Sequence, residues 1–490
     1  MLLRKPTWYQ TQDCRTCRTK KLRESGVFWC YIAFVKAKIT FYGGAGSVTG
    51  ANFLLDTGDK KILVDCGALE RELTGQNKCD IENIKPFAYD PKSVDVLFVT
   101  HAHQDHIGRV PKLVRDGFKG VIYSTPATRD LSAVMFDDSL NIMQRDQELH
   151  GCAPMYDKAD VEHALSLWQT HEYHEPFEVG DVHAEFLDAG HILGSVMVKL
   201  TRGNRKVIFT GDIGNSPEPL LNNAESPEGA NYVVMESVYG DREHEDRSQR
   251  RDMLKAAVED ARRKKGTLLI PSFSIERTQI LLFELNEMME KKEIASIPVY
   301  LDAPLAIRVT NVFEKYKNEL NPAAQAEFAH GRDPFAFPSL LETPSVADSR
   351  EIHKKPDPKV VIAGAGMSSG GRVRAHEKRY LSEANASVLL VGYQAPGSLG
   401  RRIEEGQKEV SIDGERIHVQ ASVHSLTGYS GHADRDQLLS FAEAAKDSLQ
   451  RAFVVMGEPK ASNFLAQRIR EYIGIEAIAP AQNDSADIDW

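Results

Sequence analysis

Short apolar runs rich in β-branched residues recur along the chain, and most end in a glycine or a polar cluster. "KITFYGG", "NFLLDTG", "KILVDCG", "DVLFVTH", "HAEFLDAG", "SVMVKL", "KVIFTGD", "YVVMES", "TLLIPS", "PVYLDA", "KVVIAG", "SVLLVG" and "AFVVMG" all read as strands. A helical apolar period covers 128–149, 247–264, 276–291, 304–319, 436–446 and 461–473. The early strands follow one another closely, as in an antiparallel sheet. The later ones alternate with helices, as in a parallel sheet. The pattern predicts an α/β protein with two styles of sheet. Polar clusters stand just after the strands: His101–His106, His191, Asp212, Glu236, Ser272, Asp302 and Ser368–Arg372. Ligand sites of α/β folds gather outside the carboxyl ends of strands, so these clusters are expected to share one crevice.

At 490 residues the chain is long enough for two or three domains. Its formal net charge of −10 argues against a nonspecific nucleic-acid coat but leaves room for a local basic groove. Basic runs stand at 261–265, 371–379 and 400–402, the first best read as a solvated helix face. No run reaches the roughly 18–20 apolar residues that span a bilayer. "VFWCYIAFVK" (27–36) lacks the small-residue cleavage site of a signal peptide. Residues 1–36 look unlike the rest and are expected to be disordered or a start-site extension. The six cysteines are scattered, so a disulfide framework is not expected and a reducing cytoplasm is. "CRTC" (14–17) has zinc-knuckle spacing but no second CxxC.

"HAHQDH" (101–106) changes the picture. A lone histidine is usually structural, but four ligand-type residues in one loop at a strand end are hard to explain that way. His101 and His103, two apart, can turn toward one ion, while Asp105 and His106, at the start of the next helix, can serve a neighbouring ion. Imidazole with carboxylate suits Zn²⁺, with Mn²⁺ or Fe as alternatives. His191 in "LDAGHILGS" and Asp212 in "FTGDIG" supply further ligands. A carboxylate at 212 can bridge two cations roughly 3.5–4 Å apart, which would share a hydroxide and clamp a phosphate. Asp65 in "LVDCG" reads either as an orienter of a histidine or as a turn residue. Backbone N–H groups at Ser369, Gly370 and Gly371 can cradle a phosphate where a glycine-rich loop opens a helix. Arg372 and Arg277 can add bidentate contacts, or serve as helix-start ion pairs.

"HAHQDH", His191 and Asp212, in this order and context, resemble the metallo-β-lactamase superfamily. "ESVYGDREH" from Glu236, "GMSSGGRV", "GYQAPGSLGRRI" and "GYSGHADRDQL" resemble its β-CASP branch. Within that branch they are similar to bacterial and archaeal homologues of the cleavage-and-polyadenylation endonuclease subunit, over about residues 37–475. The resemblance implies an αβ/βα sandwich over 37–235 and 411–490, with a parallel α/β domain, 236–410, inserted. It implies two zinc ions per chain, Mn²⁺ being an alternative, held by His101, His103, Asp105, His106, His191, Asp212 and His432. It implies hydrolysis of single-stranded RNA, endonucleolytic, with 5′-to-3′ exonuclease action as a second mode; no membrane is involved and a homodimer is compatible. Asp105 and Glu236 belong to the catalytic set it implies. A histidine helps protonate the leaving group in the eukaryotic enzymes; the matching place here holds Arg402, so His424 and His376 are the substitutes, with Glu236 expected to pair with one of them. The competing functions are a thioester or lactam hydrolase of the same superfamily and a noncatalytic RNA-binding scaffold.

Overall fold

The computed structural model describes residues 36–69, 79–244, 249–394 and 397–490. The extension expected over 1–36, apart from Lys36, and the "CRTC" spacing lie outside the described residues. No helix among the described residues is long and apolar enough to cross a membrane.

Two seven-stranded sheets face each other. The first runs, in spatial order, through 485–489, 36–43, 52–56, 61–64, 96–98, 121–124 and 168–170. The second runs through 476–478, 451–454, 232–235, 205–209, 196–202, 182–188 and 177–179. Each is antiparallel over its hairpins and parallel where helices intervene. The alternation of apolar positions explains the pairing. Ile39, Phe41, Phe53, Leu55 and Phe98 of the first sheet pack on Phe186, Val198, Phe209 and Phe453 of the second in one buried cluster. The other faces are covered by helices, Val110–Arg115 and Pro126–His150 on one side and Arg435–Ala444 and Pro459–Arg468 on the other. This is the expected αβ/βα sandwich.

A third sheet, six-stranded and parallel throughout, belongs to the inserted domain: 340–342, 299–302, 359–363, 267–271, 387–391 and 422–426. Its strands are buried on both faces and read as unbroken apolar runs, as parallel strands should. The sheet continues beyond residue 410 to Leu426, because Ser422–Leu426 pairs with Ser387–Val391 as its edge strand. The return to the sandwich therefore falls after that strand, not at 410/411. The long helix Pro126–His150 carries the domain contact. It is capped by Thr125 and stopped by Gly151 in the left-handed region. Its Asp137 pairs with Arg308, and its Asp130 accepts from Lys315 and Tyr316, both on the inserted domain.

One cysteine expectation is overturned. Cys79 and Cys152 are joined by a disulfide with their Cα atoms 5.4 Å apart, although 73 positions separate them. Scattered spacing hid a pair that only the tertiary fold brings together. Cys66 is a buried free thiol.

Candidate metal centre

Each ligand-type side chain leaves the end of a strand. His101 follows Val96–Phe98, His191 follows Val182–Asp188, Asp212 follows Arg205–Phe209 and Glu236 follows Tyr232–Met235. His432 arrives on a crossing segment that bridges to Gly214. Close approach is built in: a Cβ at Gly67 would stand 1.5 Å from the Asp105 carbonyl, so only glycine lets the 66–68 strap lie against the Asp105 turn.

Three ligand groups result, each with its ligand atoms within 4.8 Å of one another: His101, His103, His191 and Asp212; Asp105, His106 and Asp212; and Asp212, Glu236 and His432. In the first, His103 Nδ1 lies 3.1 Å from His101 Nε2 and 3.2 Å from His191 Nε2. Asp212 Oδ2 is 3.4 Å and 3.5 Å from the same two Nε2 atoms. Four ligands of one Zn²⁺ at roughly 2.0–2.1 Å sit about 3.3 Å from each other, which is this spacing. The other oxygen, Asp212 Oδ1, turns the opposite way, 3.3 Å from His106 Nε2. One carboxylate thus faces two ligand sets.

The outer hydrogen bonds fix which nitrogen faces inward. His106 Nδ1–H donates to Asp65 Oδ2 at 2.7 Å, and His191 Nδ1–H donates to the Gly431 carbonyl at 2.9 Å. Thr100 Oγ1 donates to Asp65 Oδ2 at 2.8 Å and accepts from His101 Nδ1–H at 3.1 Å. His101 and His191 are left with an inward lone pair on Nε2, and His106 turns its Nε2 inward beside them. His106 Nε2 and Asp212 Oδ1 are buried without a hydrogen-bond partner. Buried polar atoms left without partners are costly, and a cation between this nitrogen and this carboxylate oxygen, displacing any proton there, removes the cost. The residues therefore fit divalent ions.

Electrostatics agree. Burial holds His103 and His191 well below the usual histidine range and lowers His101, which keeps these imidazoles neutral. Burial also opposes charge on His106, but the carboxylates of Asp212, Asp65 and Asp105 outweigh it and raise its pKa well above the usual value. For Asp212 burial works upward, yet His106, His101 and His432 keep it well below the carboxylate range. Metal uptake at this site must therefore displace protons.

Glu236 is buried and holds His432: Oε1 lies 3.2 Å from His432 Nδ1 and accepts from the Ile213 N–H at 2.7 Å. The expected pairing with His424 or His376 does not occur. His424 stands exposed on the edge strand Ser422–Leu426. His376 is fully buried in the inserted domain, with Nε2 2.6 Å from Asp302 Oδ2. Arg372 is also engaged there, with Asp302 Oδ1 at 2.7 Å and the Thr343 and Pro344 carbonyls. Neither is free for substrate: Asp302, at the end of a buried strand, needs both as partners. Arg402 is half-buried on the helix Leu399–Glu404. His424→Ala is expected to cleave within about twofold of the parent, as an exposed surface change does. His376→Ala is expected to lower the melting temperature by removing one of the hydrogen bonds on the buried Asp302 carboxylate and leaving a cavity, which a thermal scan checks.

The glycine-rich loop follows Lys359–Ala363. Ser369 and Gly371 are exposed, and a Cβ on Gly370 would meet nothing within 4 Å. The loop is held from below by Ser368, whose hydroxyl donates to Glu377. Burial pushes the Glu377 carboxyl from 4.5 up to about 8. The folded protein therefore holds a proton that the unfolded chain releases from about pH 4.5 upward. This contribution to stability is full below that pH and is lost as pH rises through about 8. Melting temperature is expected to fall over that window, and Glu377→Gln, which keeps a hydrogen-bonding head without the proton, should flatten the fall.

One further feature escaped sequence reasoning, and one candidate it named takes a definite place. Thr100 ties His101 to Asp65, though nothing in "THAHQDH" marks the threonine as different from a strand-end residue. Arg277, at the start of the helix Arg277–Glu290, lies beside the metal cluster: a Cβ on Gly431 would stand 2.6 Å from Arg277 Nη2 and 3.3 Å from the His191 ring. Its Nε and Nη1 are buried without partners. Next to it Glu276 is pushed up to about 8, first by burial and then by Glu218, so it gives Arg277 no counter-charge at neutral pH.

Profiles of known families match along the whole architecture. One described as the metallo-beta-lactamase superfamily covers residues 46–272, a Beta-Casp domain covers 278–403, and a Zn-dependent metallo-hydrolase RNA specificity domain covers 416–480. A ribonuclease of Thermus thermophilus, TTHA0252, is 36% identical over 422 residues, 86% of this chain and 93% of that protein. The chain belongs to the metallo-β-lactamase superfamily, in its Beta-Casp branch. As a Beta-Casp protein it is a metal-dependent hydrolase. The transcription termination factor FttA of Methanosarcina mazei is 30% identical over 90% of this chain and 70% of its own. That of Thermococcus kodakarensis is also 30% identical, over 91% and 71%. A crystal structure of a protein of unknown function from Enterococcus faecalis V583 shares the fold, with a TM-score of 0.56 at 13% identity over 92% of this chain and all of that one.

Proposed function

We propose that this Beta-Casp hydrolase is a zinc-dependent ribonuclease that cuts single-stranded RNA. The observation that carries the reading is the Asp212 carboxylate, with Oδ2 toward His101 and His191 and Oδ1 toward His106. Two zinc ions in these sets, the second completed by Asp105 and His432, would lower the pKa of a water and neutralise the nonbridging phosphate oxygens. The chain's own residues do the rest. Asp65 and Thr100 hold the rings of His106 and His101, and Glu236 holds His432. Arg277, whose Nε and Nη1 have no hydrogen-bond partner among the described residues, offers its guanidinium to the substrate phosphate. The open amides of Ser369, Gly370 and Gly371 receive the strand further along. RNA is the substrate named for the TTHA0252 relative, a ribonuclease, and in the RNA specificity domain matched at 416–480. A thioester or lactam leaves Arg277 and the glycine-rich loop without a task.

The test is incubation with labelled single-stranded RNA and DNA, with and without a strong chelator, beside elemental analysis. About two zinc ions per chain and chelator-sensitive cleavage of RNA are expected. Full activity in chelator, or cleavage of DNA alone, would sink the reading.

A further inference from the structure

The disulfide lies behind the metal centre. Cys79 is followed by Asn83, whose side chain clamps Leu69 from both sides: Leu69 N–H donates to its carbonyl oxygen at 2.8 Å, and its amide nitrogen donates to the Leu69 carbonyl at 2.8 Å. Leu69 ends the strap whose Ala68 and Cys66 N–H groups donate to the carbonyls of Gln104 and His106 at 2.9 Å and 2.8 Å. The strap thus carries one side of the turn that bears Asp105 and His106. The other side is carried by the long helix: the Gln104 side-chain amide donates to Ser139 Oγ at 2.9 Å. That helix ends at His150, two residues before Cys152. The bond between Cys79 and Cys152 closes these contacts into a ring around Gln104, the residue before Asp105.

We propose that Cys79 and Cys152 form a thiol–disulfide exchange site that sets how firmly the Asp105–His106 turn is held. Cys79 is partly exposed and Cys152 is buried, so an incoming thiolate reaches the Cys79 sulfur. The co-reactant is a dithiol. Its first thiolate attacks Cys79 Sγ, the Cys79–Cys152 bond breaks, and Cys152 leaves as a thiolate that takes up a proton. The second thiol of the reductant then attacks the mixed disulfide and releases Cys79. The protein gains two thiols and the dithiol becomes a disulfide; the reverse reaction consumes a disulfide of the same class. Oxidised, the ring is closed and the turn is clamped from both sides. Reduced, Asn83 and its clamp keep their hydrogen bonds through Gln104 but lose the covalent tie to the residues that follow the helix.

The site for the second ion is the part of the proposed function on which this rests, so the test reads the turn itself as well as the ion. Protein prepared without reductant is alkylated before and after dithiothreitol, and the Cys79 and Cys152 peptides are weighed. Hydrogen exchange is then followed at Cys66, Ala68 and His106 in the oxidised protein, the reduced protein and Cys79→Ser. The expected result is protection of both cysteines from alkylation until reduction, with exchange at Cys66 and Ala68 about tenfold faster in the reduced protein and in Cys79→Ser. Loss of the ion at Asp105 and His106 to a chelator should quicken about fivefold in the same two states. Alkylation of both cysteines without reductant, or equal exchange in all three states, overturns the proposal. A protein that binds no second ion yet shows the exchange difference refutes the two-ion reading and upholds the redox site.

Discussion

Asp212→Asn is expected to lose both ions and to cut cleavage by at least about 10³-fold, the largest loss of any single ligand. The reason is geometric. The carboxylate gives Oδ2 to the pair His101 and His191 and Oδ1 to His106. An amide offers one oxygen and turns two N–H hydrogens toward rings whose inward nitrogens are lone pairs, but it carries no charge to offset a second cation. His191→Ala and His106→Ala each remove a ligand from one set alone, so each should cost one ion. Elemental analysis with cleavage rates on the three variants separates the cases. Two ions retained by Asp212→Asn would show that the carboxylate is not shared.

Arg277→Gln is expected to keep the metal content and lower kcat/KM on RNA by about 10²-fold, the usual loss when a charge-bearing donor to a reacting phosphate is removed. Its stability should move the other way. A guanidinium with Nε and Nη1 buried and unpartnered costs free energy in the folded protein, and Glu276 at about 8 does not balance it at neutral pH. The neutral variant should therefore melt no lower than the parent, whereas loss of an ordinary helix-start ion pair would lower the melting temperature. Cleavage at the parent rate would take Arg277 out of the phosphate site.

The contrast between what was readable and what was not follows from the range of the forces involved. A metal ligand must be one of a few residue types at the end of a strand, so "HAHQDH", His191 and Asp212 were visible as chemistry and not merely as pattern. The thirteen apolar runs all became strands, because buried strands must be apolar over their length. The edges were not readable. Trp168–Thr170 has one buried residue in three, and Ser422–Leu426 one in five, too little period to mark a strand. Partnerships were least readable of all. Glu236 could have faced any of several histidines, and only the crossing of the 428–432 segment over Gly214 decides for His432. Arg372 and Arg277 look alike as arginines opening helices; one meets Asp302, and the other has Nε and Nη1 buried without a hydrogen-bond partner among the described residues. Cys79 and Cys152 are a pair for the same tertiary reason.

The strand Ser485–Asp489 lies against Lys36–Thr40, so the first stretch of the sandwich to be made pairs with one of the last. The second sheet likewise waits for Arg451–Val454 and Glu476–Ile478, and Glu236 waits for His432. While the chain is still being synthesised, the ribosome carries the early ligands without a finished sheet on either side. A metal-dependent hydrolase built in this order completes its ligand set only after the strands Arg451–Val454, Glu476–Ile478 and Ser485–Asp489 have emerged.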